Sequence, residues 1–168
     1  MEDKRITKTK RALKSALLEL LTTQAFDAIS ITELCKIANV SRITFYTHYK
    51  DKFALLDDIF NDMLIIGKEG YHRRQEENNP ENNLTQGYLN VLDSILSLYY
   101  ERYDFFQHVV PETNPYLAFR FYRILLDTVE SHTDKLKASY SLKYSARQIA
   151  GFICFGLSCV TPCRTARS

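Results

Sequence analysis

Hydrophobic and polar positions repeat along the chain with the spacing of amphipathic helices. Over residues 7–24, small and apolar side chains recur at the i, i+4 and i+8 positions that share one face of a helix. Charged residues such as Lys8, Arg11 and Lys14 lie mainly off this stripe. The pattern predicts a first helix whose buried face consists of Ala12, Leu13, Ala16, Leu17, Leu20 and Leu21.

Two shorter helices with a tight turn between them are predicted next. Ser30 and Glu33 form the S-x-x-E pattern of a capping box, so a second helix begins at about residue 31. Asn39 tolerates the left-handed backbone that a tight turn between helices requires. Ser41 can then cap a third helix that ends near His48.

The third helix divides into an anchoring side and an outward side. Phe45 and Tyr49 are one turn apart, so they share a face and can hold the helix against the second one. An Arg, an Ile, two Thr and a His remain outside, as in a helix-turn-helix whose second helix enters the DNA major groove. A solvated helix of an ordinary bundle is the alternative. In the DNA interpretation, Arg42, Ile43, Thr44, Thr47 and His48 face the bases, and Ser41, Tyr46 and Lys52 hold phosphates.

The charge distribution agrees with a polyanion-facing N-terminal end. The net charge is only +2, but residues 1–56 contain ten Lys or Arg and six Asp or Glu, whereas residues 57–168 contain twelve and fourteen. A basic first third is typical of nucleic-acid binding, although chance fluctuation would also produce such a difference.

The run ISITELCKIANVSRITFYTHYKDKFALL, preceded by KTKRALKSALLELL, resembles the N-terminal DNA-binding domain of the TetR family of bacterial transcriptional regulators. The resemblance covers roughly residues 5–60, and the chain has Asn39 where the family usually has Gly. It implies a homodimer on a palindromic double-stranded DNA operator and, most often, repression released by a small-molecule effector. By the same resemblance the DNA-contacting positions are Thr32, Arg42, Ile43, Thr44, Tyr46, Thr47, His48 and Lys52.

The remainder of the chain is also expected to be helical. A fourth helix should begin near Asp51, which is a possible cap, and end near Tyr71. The polar run RRQEENNPENN at 73–83 predicts an exposed loop, and further helices are expected over 84–103, 116–136 and 144–160. We therefore predict an all-α fold, in which an N-terminal three-helix helix-turn-helix domain (residues 1–50) is joined by a long helix to a C-terminal helical bundle for ligand binding and dimerisation (residues 51–168).

Aromatic residues concentrate in the second part of the chain. Phenol hydroxyls among apolar rings can orient a small molecule, although such rings can equally form the plain core of a bundle. The histidines and the C-terminal cysteines lack a zinc spacing, and no set of nucleophile, base and carboxylate stands out. We expect no cofactor, no metal site and no enzyme activity. The candidate ligand-pocket residues are Tyr99, Tyr103, Phe106, Phe119 and Tyr122.

The sequence also favours a cytoplasmic protein. The first ten residues are charged, the apolar run at 151–160 is too short to cross a bilayer, and the four cysteines form no disulfide framework. Members of the resembled family commonly end in two long helices that form the dimer interface, but here Pro162 would end or kink the last helix. We expect a dimer through residues 144–160 and part of the preceding helix. The rival to a DNA-binding repressor is an adaptor that keeps the fold and activates transcription by contacting a partner protein.

Overall fold

The computed structural model describes residues 4–137 and 143–158, with side chains described through residue 134 and over 143–152. Within these ranges the chain is helical and has no strand, which confirms the predicted all-α fold. A short 3-10 turn at Phe26–Ala28 lies between the first two α-helices. The helices are α1 (Lys4–Leu21), α2 (Ile31–Ala38), α3 (Arg42–His48), α4 (Lys52–Asn78), α5 (Leu84–Glu101), α6 (Tyr103–Phe106), α7 (Pro115–Lys137) and α8 (Ala146–Ser158).

The chain forms two compact units, Met1–Lys68 and Glu69–Ser168. Helix α4 begins in the first unit and ends in the second. The domain boundary predicted after residue 50 stays a prediction. The first compact unit extends beyond that position and includes the first part of α4.

The first unit is built around the predicted apolar face of α1. Five members of that stripe are buried and Ala12 is half-buried. Phe26 and Ile29, which connect α1 to α2, are each 1% exposed. Further core side chains come from α2, α3 and α4, namely Leu34, Cys35, Phe45, Leu55, Leu56, Ile59, Phe60 and Met63.

Local side-chain hydrogen bonds fix the ends of these helices, as the sequence predicts. The Glu33 N–H donates to Ser30 Oγ over 3.2 Å, and the Ser30 N–H donates to Glu33 Oε2 over 2.9 Å, which completes the capping box. Asn39 adopts the left-handed conformation, with φ 53° and ψ 46°, and ends α2. Ser41 Oγ accepts from the Thr44 N–H, and Asp51 accepts from the Ala54 N–H at the start of α4.

The predicted loop over 73–83 is wrong in its first part, because α4 continues to Asn78. The polar side chains of this segment bind other polar groups of the second unit instead of facing solvent only. Arg74 Nη2 donates to Ser97 Oγ over 2.7 Å, and Gln75 Oε1 accepts from Asn90 Nδ2 over 2.6 Å. The remaining connection is closed by Asn79, which is 4% exposed and bonds to the backbone of Asn83 at both ends of its amide.

The second unit has an apolar core between α5, α7 and α8. Val91, Leu125, Leu126, Val129 and Ala150 form its buried cluster, and Tyr71, Ile95 and Phe121 pack against it. The helix predicted over 84–103 is interrupted, since α5 ends at Glu101 and Tyr103 begins α6.

Ser145 and Gln148 form a reciprocal cap at the start of α8. Some predictions for the C-terminal end lie outside the described residues and side chains. They are the end of that helix at residue 160, the stop at Pro162 and the thiols of Cys154, Cys159 and Cys163. In the part of the chain that the structure describes, none of the helices combines the length and the apolar composition that a bilayer-crossing segment needs.

Candidate nucleic-acid interface

Helix α3 has one buried side and one exposed side, as predicted. Phe45 is fully buried and Tyr49, which caps the helix, is 5% exposed; their ring centroids lie 5.9 Å apart. The outward side contains three of the predicted base-facing residues, since Arg42, Ile43 and Thr47 are exposed. The other predicted DNA-contacting residues comprise the exposed Thr32, Ser41 and Tyr46 and the half-buried Thr44, His48 and Lys52.

A polar contact between α3 and α4 holds the C-terminal end of α3. The Tyr49 hydroxyl donates to Asp58 Oδ2 over 2.6 Å. Lys14 of α1 binds the same carboxylate over 3.1 Å and also pairs with Asp62. Because Tyr49 and Phe45 are fixed in this way, the orientation of the exposed side of α3 is determined by the body of the first unit.

The Asp58 carboxylate is stabilised in its charged form. Burial alone would raise the pKa of Asp58, but the hydrogen bonds from Tyr49 and Lys14 and the positive charges of Lys14 and Lys10 hold that pKa below its ordinary value. Asp58 therefore stays ionised at neutral pH and remains an acceptor for the Tyr49 hydroxyl.

The hydroxyl groups of α3 bind within the helix itself. Thr47 Oγ1 donates to the Ile43 carbonyl over 2.9 Å. Ser41 Oγ and Thr44 Oγ1 lie 2.8 Å apart and share a hydrogen bond. Each threonine therefore has a methyl group and oxygen lone pairs left for an external partner.

The N-terminal end of α3 exposes an apolar and a positively charged side chain next to each other. Ile43 is 82% exposed, which is unusual for a large aliphatic side chain. Next to it, Arg42 forms no ion pair with a carboxylate among the described residues. Lys36 before the turn and Lys50 after the helix are also exposed. No acidic residue occurs between Asn39 and Lys50, so the local charge suits a polyanion.

Lys52 has contacts that the sequence did not indicate. Its ammonium donates to the backbone carbonyls of Phe26, Asp27 and Ile29 over 2.9, 2.8 and 2.8 Å. It also lies 5.0 Å from the centroid of the Phe26 ring. An ammonium has three N–H donors, and all three are used here. The predicted phosphate contact of Lys52 stays a prediction, and it would compete with these three bonds.

In the second unit, the structure brings together some of the predicted pocket residues. Tyr99 stacks on the buried Phe106 at 5.3 Å between centroids, and Tyr103 lies 6.1 Å from Tyr99. Phe119 and Tyr122 are 59% and 36% exposed, and among the described residues neither has a ring contact with this cluster. The ring that α7 contributes is instead Phe121, 4.9 Å from Phe106, which the sequence analysis missed.

Two polar atoms near this aromatic cluster are buried without a hydrogen-bond partner in the described part of the chain. They are the Tyr99 hydroxyl and His108 Nε2. Burial raises the pKa of Tyr99, with Tyr103 and Tyr100 adding to it. Burial also lowers the pKa of His108, although the charge of Asp104 acts in the opposite direction. Both groups are therefore neutral near pH 7, and the described residues do not satisfy their hydrogen-bonding capacity.

Comparison with known proteins identifies the helix-turn-helix unit. Residues 13–59 match the family model of bacterial regulatory proteins of the tetR family. Over 58 residues the chain is 40% identical to the HTH-type transcriptional regulator YxbF of Bacillus subtilis (strain 168), a match that covers 34% of this chain and 14% of that protein. In fold, the chain resembles the dihydroxyacetone kinase operon activator DhaS, with a TM-score of 0.54 and 23% identity over 89% of this chain and 82% of that one. Residues 13–59 are therefore a helix-turn-helix domain of the type found in bacterial regulatory proteins of the tetR family.

Proposed function

We propose that this regulator binds a palindromic DNA operator as a homodimer in the cytoplasm and represses transcription until a small molecule releases it. The observation that carries the DNA part is the division of α3. Phe45 and Tyr49 attach the helix to the body of the first unit, while Arg42, Ile43 and Thr47 are exposed on its outward side. A short helix held in this way can enter the major groove without rearrangement.

The predicted DNA-contacting residues are proposed to play different roles. Arg42 donates twice to a guanine edge, the contact that its planar guanidinium suits best. Ser41 at the N-cap of α3, Tyr46 on α3 and Thr32 on α2 contact the phosphate backbone, which fixes the register without reading sequence. Thr44 and His48 are half-buried, so they approach the DNA only at the edges of the contact.

The effector is proposed to bind at the aromatic cluster of Tyr99, Tyr103 and Phe106 in the second unit. The hydroxyl of Tyr99 and Nε2 of His108 supply two polar atoms for which the described residues give no partner. An effector with apolar surface and one or two hydrogen-bonding groups fits this combination. Phe119 and Tyr122 remain proposed lining residues, and their exposure makes them the outer members of the set.

A dimer is proposed through α8 and part of α7. Phe152 is 85% exposed, and a Cβ placed on Gly151 would meet no atom within 4 Å. An apolar ring beside a glycine on one helix offers a surface for close helix packing. In such a dimer the two α3 helices would reach successive major grooves about 34–36 Å apart. Static light scattering at micromolar concentration tests this; the mass of a single chain would refute it.

Binding to duplex DNA over a salt series tests the DNA-binding function. Each phosphate that the protein neutralises releases counterions. The logarithm of the binding constant should therefore fall steeply and linearly with the logarithm of the salt concentration. Arg42→Ala should reduce affinity for the preferred operator by about 1–3 kcal/mol and should relax sequence preference at one base pair. If the protein bound no duplex DNA even at low salt, the proposal would be refuted. That result would favour the adaptor that acts through a partner protein.

A further inference from the structure

We infer that Ile43, together with the methyl group of Thr47, selects operator positions by contact with the 5-methyl group of thymine. The inference rests on the proposed DNA-binding function and specifies what its recognition helix reads. It assigns a partner of defined chemistry to Ile43, the most exposed large aliphatic side chain among the described residues of the first unit.

Ile43 contributes little to the folded body of the protein. It is 82% exposed, whereas Phe45, two positions later, is fully buried. Burial of an aliphatic side chain is favourable, so an isoleucine this exposed gains free energy once a partner covers it. Within α3, the anchoring is supplied by Phe45 and Tyr49, so Ile43 is available for binding.

The neighbouring threonine increases the apolar character of this surface. Residues 43 and 47 are four apart and share a helix face. The Thr47 hydroxyl donates its proton to the Ile43 carbonyl, so its donor is not available to a base. What the pair can offer to the floor of the groove is one aliphatic side chain, one methyl group and the acceptor lone pairs of Thr47 Oγ1, but no hydroxyl donor. Among the groups displayed in the major groove, the thymine methyl is the apolar one.

The surrounding charge favours DNA over an apolar protein partner. Arg42 adjoins Ile43, Lys36 and Lys50 flank the helix, and the segment from Asn39 to Lys50 contains no carboxylate. A protein-docking helix would gain nothing from this one-sided positive charge unless its partner were acidic. A DNA groove presents the negative backbone and the apolar methyl group together.

The experiment begins with selection of a preferred operator from a random duplex pool by the full chain. Each thymine of that operator is then replaced in turn by deoxyuridine, which removes the methyl group and keeps every hydrogen-bonding group. For the wild type, at least one replacement should weaken binding about fourfold, the effect of uncovering one methyl-sized group. In Ile43→Ala the same replacement should have no effect, and Ile43→Val should keep part of it.

Arg42→Ala is the matched control, because it should lower affinity while retaining the sensitivity to deoxyuridine. Equal binding of all deoxyuridine operators by the wild type would overturn the inference, and so would full sensitivity in Ile43→Ala. Either result would leave DNA binding intact. Failure of the random pool to yield any enriched duplex would instead overturn the proposed function. Because Ile43 is exposed, its variants should fold like the wild type, which circular dichroism verifies.

Discussion

Replacement of Lys52 by methionine separates a structural role from a DNA-contacting role. Lys52 begins α4, where a positive charge opposes the helix dipole, yet its ammonium donates to three carbonyls around the 3-10 turn at Phe26–Ala28. These carbonyls precede α2, so the lysine joins the entrance of the helix-turn-helix to the start of α4. Methionine keeps an apolar stem against Phe26 and removes the charge.

The expected loss of stability follows from these contacts. A hydrogen bond to a charged group contributes about 1.5–3 kcal/mol, and one of the three carbonyl contacts is solvent-exposed. Since water replaces part of what is lost, we expect Lys52→Met to destabilise the first unit by about 2–3 kcal/mol. Hydrogen exchange is the appropriate assay, because it reports the amides of α1, α2 and α3 separately from the second unit.

Lys50→Met is the matched control, since Lys50 is exposed and lies only two residues away. It should leave hydrogen exchange unchanged and reduce the salt dependence of DNA binding if Lys50 meets a phosphate. For Lys52→Met, unchanged exchange together with a salt slope reduced by about one would refute the structural role and support the phosphate contact instead. Faster exchange with an unchanged salt slope would support the structural role.

Three further predictions address the anchoring of α3 and the core of the second unit. The pKa of Asp58 is lowered in the folded protein. The stability that its ionised form contributes is therefore complete above the ordinary carboxyl pKa of about 3.9 and is lost as pH falls through the pKa of the folded state. Asp58→Asn should not show this loss of stability in acid titrations followed by circular dichroism. Asn39→Ala should destabilise the first unit by about 1–2 kcal/mol in hydrogen exchange, whereas Asn39→Gly should be nearly neutral, because φ is 53°. Asn90→Leu should destabilise the second unit by about 2–3 kcal/mol, since Gln75, Asn78 and Gln86 all bond to the buried Asn90 amide; a change below 0.5 kcal/mol by the same measurement would contradict this.

The local features of the fold could be predicted from the sequence. The capping box of Ser30 and Glu33, the left-handed Asn39 and the cap at Ser41 each depend on residues within four positions of one another. The outward side of α3 was likewise predictable, because helical periodicity places Phe45 and Tyr49 together and leaves Ile43 outside.

Contacts between residues far apart in sequence could not be predicted in this way. Lys52 binds carbonyls 23 to 26 residues earlier, and no periodic pattern marks that pairing. The polar run at 73–83 predicts a loop, but Gln75 and Asn78 accept hydrogen bonds from the buried side-chain amide of Asn90 on α5. Polarity alone does not distinguish a solvated loop from a buried hydrogen-bond network.

The division of α3 has a consequence for how DNA specificity can change. An isolated helix of seven residues is far below the length of about 12–15 that is stable in water, so α3 depends on tertiary anchoring. That anchoring uses Phe45 and Tyr49, and the proposed base-reading residues Arg42, Ile43 and Thr47 take almost no part in it. Substitutions at the reading positions should therefore alter operator preference with little loss of stability. Substitutions at the anchoring positions should weaken binding to all operators alike, because they displace the whole helix.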